Sequence, residues 1–351
     1  MNDISRTLQQ QVIDAAAEGR PLQIIGSGSK DFLGRATHGE PLSISEHRGI
    51  THYEPVELVL TARAGTPLKE LETALAAEGQ MLPFEPPHFG DNATLGGTVA
   101  AGLSGPRRPF AGAVRDHVLG CTLLNGKGEL LHFGGEVMKN VAGYDVSRLM
   151  SGAMGTLGVL LEVSIKVLPR PAEELTLAQP CNFDRAIALM NNWSARPLPL
   201  SAACCDGKTL TLRLSGAGTA VNTAKASIGG EEVNDGDRHW HSLREQQHPF
   251  FESELPLWRL SVPPATPHLS LPGKWLIDWG GAQRWLLSDA EPQQIWQAAA
   301  GAGGHATLFR RGDSSEVYQP LPEPLMALHR NLKRSFDPKG ILNPGRLYGA
   351  L

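Results

Sequence analysis

Three glycine-rich segments crowd the first 170 residues, and they constrain the fold more than any other feature of the sequence. "IIGSGSK" carries Gly26 and Gly28; "ATLGGTVAAGLSGP" carries Gly96, Gly97, Gly102 and Gly105; "GAMGTLGV" carries Gly152, Gly155 and Gly158. Each glycine costs backbone entropy on folding, and a packed core needs no such density of them. Three such segments in one domain suggest an extended ligand threaded between sub-domains, of the size of a dinucleotide with two phosphates.

The first segment follows a short apolar run, Leu22 to Ile25, so it reads as a strand-to-loop junction. It fails the P-loop pattern, because Lys30 comes too early and is followed by Asp31. It also fails the Rossmann fingerprint, whose third glycine position falls on Asp31. Successive N–H groups in a glycine turn still make a nest for phosphate oxygens, and Ser27, Ser29 and Lys30 add donors. On its own, "GSGSK" is satisfied equally by an anion nest and by a plain tight turn.

The rest of the chain predicts alternating helices and strands. Val56 to Ala62 reads as a strand. The following helix is expected to have Thr66 as its cap, Pro67 at its first position, Leu68, Leu71 and Leu75 on its apolar face, and Gly79 beyond its end. "HVLGCTLLNGKGELLHF" reads as a hairpin turning at Asn125-Gly126-Lys127-Gly128. A strand is expected to place Val159, Leu161, Val163, Ile165 and Val167 on one face before Pro169 and Pro171. The N-terminal stretch reads as an amphipathic helix without an export signal, and Met326 to Phe336 as a final helix.

At 351 residues two domains are expected. The tryptophans and several proline-rich breaks lie after Pro171, which sets the expected boundaries at residues 1–171, 172–325 and a closing segment 326–351. The net charge of −4, with 32 scattered Lys and Arg, gives no basic face for nucleic acid or an anionic membrane. No window reaches about 18 uninterrupted apolar residues, so no direct membrane insertion is expected. Cys121, Cys181, Cys204 and Cys205 form no Cys-x-x-Cys pair. That argues against zinc, an iron–sulfur cluster held by this chain alone, or a disulfide framework, and predicts reduced thiols and a cytoplasmic setting.

The order "IIGSGSK", "TLGGTVAAG", "RDHVLG", "GTLGV", then a strand ending "KVLPRP", resembles the FAD-binding domain of the vanillyl-alcohol oxidase/p-cresol methylhydroxylase (PCMH-type) family. "FDPKGILNPGRL" resembles that family's closing segment. Nearly end to end, through "FEPPHFGDNATLGG", "GLSGPRRPFAGAVRDHVLG", "LIDWGGAQRWL" and "GGHATLF", the chain is similar to one branch, the FAD-binding subunits of bacterial glycolate oxidases. The resemblance implies an α+β fold: a two-subdomain FAD-binding domain, a smaller α+β cap domain, and a C-terminal segment returning to the FAD domain. It implies that Gly26, Ser27, Gly28, Ser29 and Lys30 hold the FAD pyrophosphate. Pro87, Thr94, Gly96, Gly97, Thr98 and Gly102 would lie along the phosphates and the ring. Arg115, Asp116, Val118, Gly155, Thr156, Gly158 and Val159 would flank the adenosine half, and Arg346 would stand near the flavin. Some members bind flavin covalently through a histidine in the first loop; Ser27, Ser29 and Lys30 stand there, which implies non-covalent FAD.

The resemblance further implies oxidation of glycolate to glyoxylate within a complex. The expected partners are a sister FAD-containing subunit and an iron–sulfur subunit, with a peripheral position at the inner face of the membrane through them. Self-sufficient relatives carry a His-Gly-His metal cluster near the C-terminus; here "GAGGHATLF" has a lone His305, expected to be a surface or interface histidine. His239 and His241, read as neighbours on one strand face, and His248 are expected to be polar surface residues, although the first two stand at a spacing that suits a shared metal. No metal site and no catalytic base are assigned. Arg107 and Arg108 are expected to be solvated loop residues, with anion recognition or a partner rim as alternatives. Asp145 is expected to cap a helix, and Lys139, Asn140 and Tyr144 to lie near the flavin domain's surface or ring.

Overall fold

A computed structural model describes residues 2–135, 145–311 and 317–351. The chain divides into two units. The first comprises Met1–Ser104, Ala113–Pro169 and Pro320–Leu351, and the second Gly105–Gly112 and Arg170–Gln319. The stretch Gly105–Gly112 therefore packs with the second unit, where the sequence placed it in the first domain.

In the first unit an antiparallel sheet runs in the order Ile50–Glu54, Val59–Arg63, Val159–Lys166, Val118–Leu124, Leu130–Gly134. Val159, Leu161, Val163 and Ile165 alternate into the core, but Leu160 and Ser164 on the other face are buried too, because this strand is central. The hairpin forms as expected: Asn125 Oδ1 accepts from the N–H groups of Lys127 and Glu129, and Gly128 supplies the left-handed φ of +79°. Leu22–Ile25 pairs in parallel with Glu40–Ser43 and is flanked by the C-terminal segment, where the Leu22 N–H donates to Ile341 O at 2.7 Å. Helix Ser5–Glu18 buries Leu8, Val12 and Ala15, and helix Leu68–Ala77 buries Leu68, Leu71 and Leu75.

Three local expectations are corrected. The strand expected from Val56 starts at Val59, since Pro55–Leu58 turns, with Leu58 at φ +56° and Val56 89 % exposed. Thr66 does not cap its helix; its hydroxyl donates to Arg63 O and accepts from the Gly49 N–H, leaving Pro67 in the cap position. The final helix begins at Glu323, three residues early, because Pro324 is tolerated in a first turn.

The second unit is built on an antiparallel sheet in the order Glu231–Glu232, Glu173–Pro180, Thr209–Gly216, Leu200–Cys205, Lys274–Asp278, Gln283–Leu287, Leu257–Ser261, His305–Arg310. Helix Phe183–Ser194, capped by the Asn182 side chain, buries Ala186, Ile187, Met190 and Trp193 against one half. Helix Pro292–Gly301 covers the other half through Ile295, Trp296 and Ala299. Arg284, with 0 % exposure, donates to the carbonyls of Gly281, Thr266 and Pro267 and pins the loop beside the sheet.

His239 and His241 lie on helix Gly236–Arg244, not on a strand, so their i, i+2 spacing turns them to different faces. His239 Nε2 is 3.4 Å from Cys204 Sγ, and its ring meets that of His248 at 5.7 Å. Burial, and then the neighbouring His248, push the His239 pKa down to about 4. The unfolded chain therefore binds a proton between pH 6.5 and 4 that the folded chain refuses. This contribution to stability is complete above pH 6.5 and is lost as pH falls towards 4, by about 3 kcal/mol. Urea unfolding of the His239→Gln variant should show a visibly flatter acid limb; an unchanged limb would rule His239 out as its source.

Candidate functional site

The three glycine segments meet in one cleft of the first unit. Gly26, Ser27, Gly28, Ser29 and Lys30 form its first wall, Thr94, Gly96 and Gly97 the second, and Gly155 and Gly158 the third, with Arg346 and Asn343 at the C-terminal side. The cleft encloses about 890 Å³ of free space, its open mouth included.

Each wall follows from local chemistry. The first loop turns at Gly28, φ +76°, where the Asp31 N–H returns to Gly28 O at 3.0 Å. Thr94 caps helix Leu95–Ala101, its Oγ1 accepting from the Gly97 N–H at 3.2 Å, and Gly102 ends that helix at φ +66°. Gly26 is required by this packing: a Cβ there would lie 2.8 Å from Thr94 Oγ1. The third wall is tied to the helix by the Met154 N–H, which donates to Ala100 O, and turns at Met154 and Gly155, both at positive φ.

Asn343 joins the first wall to the third. Its Oδ1 accepts from the Ile24 N–H at 2.8 Å, and its Nδ2 donates to Met154 O at 2.7 Å. Behind it, Lys333 is 7 % exposed and donates to Thr156 O, Leu342 O and the buried carboxylate of Asp337. Burial pushes the Lys333 ammonium pKa down, and Asp337 opposes that shift. Asp337 also accepts from the N–H groups of Ile341 and Leu342, which fixes the turn leading to Asn343. Sequence reasoning missed Asn343, Lys333 and Asp337. The available signal was Asn343 before Pro344-Gly345, since asparagine tolerates the left-handed φ of +40° found there.

The expected cations are held in particular ways. Lys30 Nζ donates to Ser29 Oγ and to His88 O at 3.1 Å, and stands 5.9 Å from the Phe89 ring, so it also anchors the neighbouring loop. Arg346 lines the cleft while donating to Arg35 O and Asp31 O, bracing the first loop from behind. Pro87, Thr98, Gly102, Arg115, Asp116, Val118, Thr156 and Val159 do not border the cleft. Asp116 caps its own turn through Ala113 N–H, and Thr156 Oγ1 donates to Ala153 O. Asp145 caps helix Val146–Leu149 as expected, while Lys139, Asn140 and Tyr144 lie outside the described residues.

The expectation of solvated loop arginines is corrected for Arg107, which is buried, while Arg108 is only partly exposed. Arg107 is buried and paired with Glu174, and Arg108 lies 4.5 Å over the Trp279 ring, both within the second unit. His305 is exposed at the start of its edge strand. Among the described residues no group of three or more His, Cys, Asp or Glu could hold a metal ion, and no helix is long and apolar enough to cross a membrane. The four cysteines are buried thiols; burial pushes Cys121 and Cys205 up to about 12.

The cleft suits a ligand with an anionic, extended centre. Small residues keep side chains out of it, Ser27 and Ser29 offer hydroxyls, and the buried Thr37 Oγ1 on its lining has no hydrogen-bond partner among the described residues. These features fit the pyrophosphate of FAD.

Residues 5–134 match the FAD binding domain family, and residues 313–347 match the C-terminal domain of FAD linked oxidases. The chain is 52 % identical over 349 residues to the glycolate oxidase subunit GlcE of Escherichia coli (strain K12), covering 99 % of both chains. It is 29 % identical over 205 residues to the glycolate oxidase subunit GlcD of Bacillus subtilis (strain 168), covering 57 % of this chain and 43 % of that one. It is 31 % identical over 180 residues to a D-2-hydroxyglutarate dehydrogenase of Xanthomonas citri, covering 50 % and 38 %. In fold it is similar to alkyldihydroxyacetonephosphate synthase, with a TM-score of 0.69 at 15 % identity, over 99 % of this chain and 76 % of that one.

Proposed function

From a chain that belongs to the FAD-linked oxidase family, in the branch of the glycolate oxidase subunit GlcE, we propose an FAD-carrying subunit of an oxidoreductase that converts glycolate to glyoxylate. The observation that carries this reading is 52 % identity with that subunit over the full length, joined to a cleft whose walls are the three glycine segments. FAD is the cofactor, and when bound it supplies a two-electron acceptor for hydride. The first loop and the Thr94–Gly97 turn hold its phosphates, and Asn343 keeps the first and third walls in register. The flavin is held without a covalent bond, since the first loop offers Ser27, Ser29 and Lys30 as side chains, and among the described residues no histidine borders the cleft.

The protein works in a multi-subunit complex. The substrate's hydroxyl proton is taken on a sister flavin subunit, and the electrons leave through an iron–sulfur subunit, because this chain brings a lone His305 where a self-sufficient dehydrogenase needs a cluster of ligands. Any membrane association is peripheral, through those partners.

An anaerobic absorbance titration tests this. The purified chain is expected to show an oxidised flavin band that glycolate leaves unchanged until the sister subunits are added, whereupon it bleaches. Bleaching by the chain alone would make it the catalyst. A band that never bleaches would leave FAD a structural fixture, and absence of flavin would overturn the reading of the cleft.

A further inference from the structure

We infer that His47 is a positioning residue for the FAD cleft, and that its protonation loosens the cleft's hold on FAD. The inference rests on FAD as the cofactor, and on neither the substrate nor the partners. His47 is 3 % exposed and lies in the loop between strands Glu40–Ser43 and Ile50–Glu54 of the first unit. Its Nδ1 accepts from the Ile4 N–H at 3.2 Å. An imidazole nitrogen that accepts carries no proton, so the ring is neutral with its proton on Nε2. Ile4 is the cap residue of helix Ser5–Glu18, and its side chain makes no cap hydrogen bond. The ring therefore anchors the entry of this helix. Beside it, the N–H groups of Asn2 and Arg48 donate to each other's carbonyls at 2.9 and 3.2 Å.

Among the described residues, Asp3, Arg63 and Glu162 are the charged groups acting on this ring. Asp3 Oδ1 stands 3.7 Å from Nδ1, and Arg63 donates to the other oxygen of that carboxylate at 3.1 Å. Glu46 and Arg48, the neighbours of His47 in its own loop, are exposed. Burial, opposed first by Asp3, holds the His47 pKa below its ordinary value; Arg63 adds to the lowering, and Glu162 and the Leu161 carbonyl oppose it. The anchor is thus closed at neutral pH. A proton added at Nδ1 sets two N–H groups face to face. The bond to Ile4 is lost, and a charge is left on a buried ring.

Backbone hydrogen bonds carry this event to two walls of the cleft. The His47 N–H donates to Ile44 O at 2.9 Å, and Ile44 itself lines the cleft while its own N–H donates to Ile25 O, at the head of the first glycine loop. On the other side His47 O accepts from the Gly65 N–H at 2.9 Å. The next residue back, Ala64, accepts from the N–H of Gly96, which lines the second wall, at 2.8 Å. There is no slack between these strands and loops: Gly65 is packed so closely on Ile44 O and His47 O that a Cβ has no room. A shift of the His47 loop therefore moves Ile44 and Gly96 together, through contiguous bonded backbone.

The full chain, stripped of flavin and titrated with FAD by fluorescence, tests this. The loaded cleft goes with neutral His47, so affinity is complete above the His47 pKa and is lost as pH falls through it. From about pH 7.5 to about pH 5 the wild type is expected to lose affinity about tenfold. In His47→Asn the amide Oδ1 replaces Nδ1 as acceptor and takes no proton. That variant is expected to match the wild type at neutral pH and to lose most of the acid fall. His47→Leu, which has no acceptor, is expected to bind several-fold more weakly at both pH values. An acid fall in His47→Asn equal to that of the wild type, or wild-type affinity in His47→Leu, would overturn the role. Hydrogen exchange of the wild type needs no variant to fold: with intrinsic rates corrected for pH, protection at Ile4 should fall in acid. Unchanged protection there would equally sink the inference. This second readout stands without flavin, so failure of the chain to bind FAD is told apart from failure of the anchor.

Discussion

Replacing Lys333 by methionine is expected to destabilise the first unit by about 3–5 kcal/mol, the usual cost of leaving one member of a buried ion pair alone. The ammonium serves three acceptors: Asp337 Oδ2 at 2.8 Å, Thr156 O at 2.8 Å and Leu342 O at 2.7 Å. Methionine keeps much of the volume but satisfies none of them, and the Asp337 carboxylate, 1 % exposed, then has no counter-charge in the pair. In thermal unfolding this corresponds to a fall of roughly 6–20 °C for a unit of this size. The double variant Lys333→Met/Asp337→Leu should recover only part of the loss, since Asp337 also accepts from the Ile341 and Leu342 N–H groups. A single-variant loss under about 1 kcal/mol, the level of an exposed pair, would mean that the pair does not hold the C-terminal segment in place.

Replacing Gly26 by valine is expected to weaken FAD binding about tenfold to a hundredfold, that is, by about 1.4–2.8 kcal/mol. The added Cβ alone meets Thr94 Oγ1 at 2.8 Å, and the γ-methyls add bulk at a position that lines the cleft. Thr94 cannot turn away without giving up the Gly97 N–H that it caps. The flavin retained after gel filtration measures the effect. Gly301→Ala is the matched control, because a Cβ there meets nothing within 4 Å. Full retention of flavin by the valine variant would show that the first glycine loop does not contact the cofactor.

Much of this architecture is legible in local sequence because its causes are local. The Asn125–Gly128 turn, the buried alternation from Val159, and Leu68, Leu71 and Leu75 on one helix face each depend on residues a few positions apart. The errors also have local causes. The i, i+2 spacing of His239 and His241 reads as strand neighbours, although Trp240 and Leu243, both buried, stand at i, i+3 and mark a helix. Thr66 has the chemistry of a helix cap, but its hydroxyl is claimed by Gly49 and Arg63.

The three glycine-dense segments are visible in the chain before any fold is known, and the fold gathers Gly26, Gly96, Gly97, Gly155 and Gly158 from them around one cleft. What locks them together, and what the arginines do, is set by contacts between residues far apart along the chain. Asn343 reaches Ile24 and Met154 across 319 and 189 positions, and Arg108 meets an indole far along the chain at Trp279. Hydrogen bonds and cation–π contacts act over a few ångströms of space, whatever the distance along the chain, so no local pattern of residue types records them.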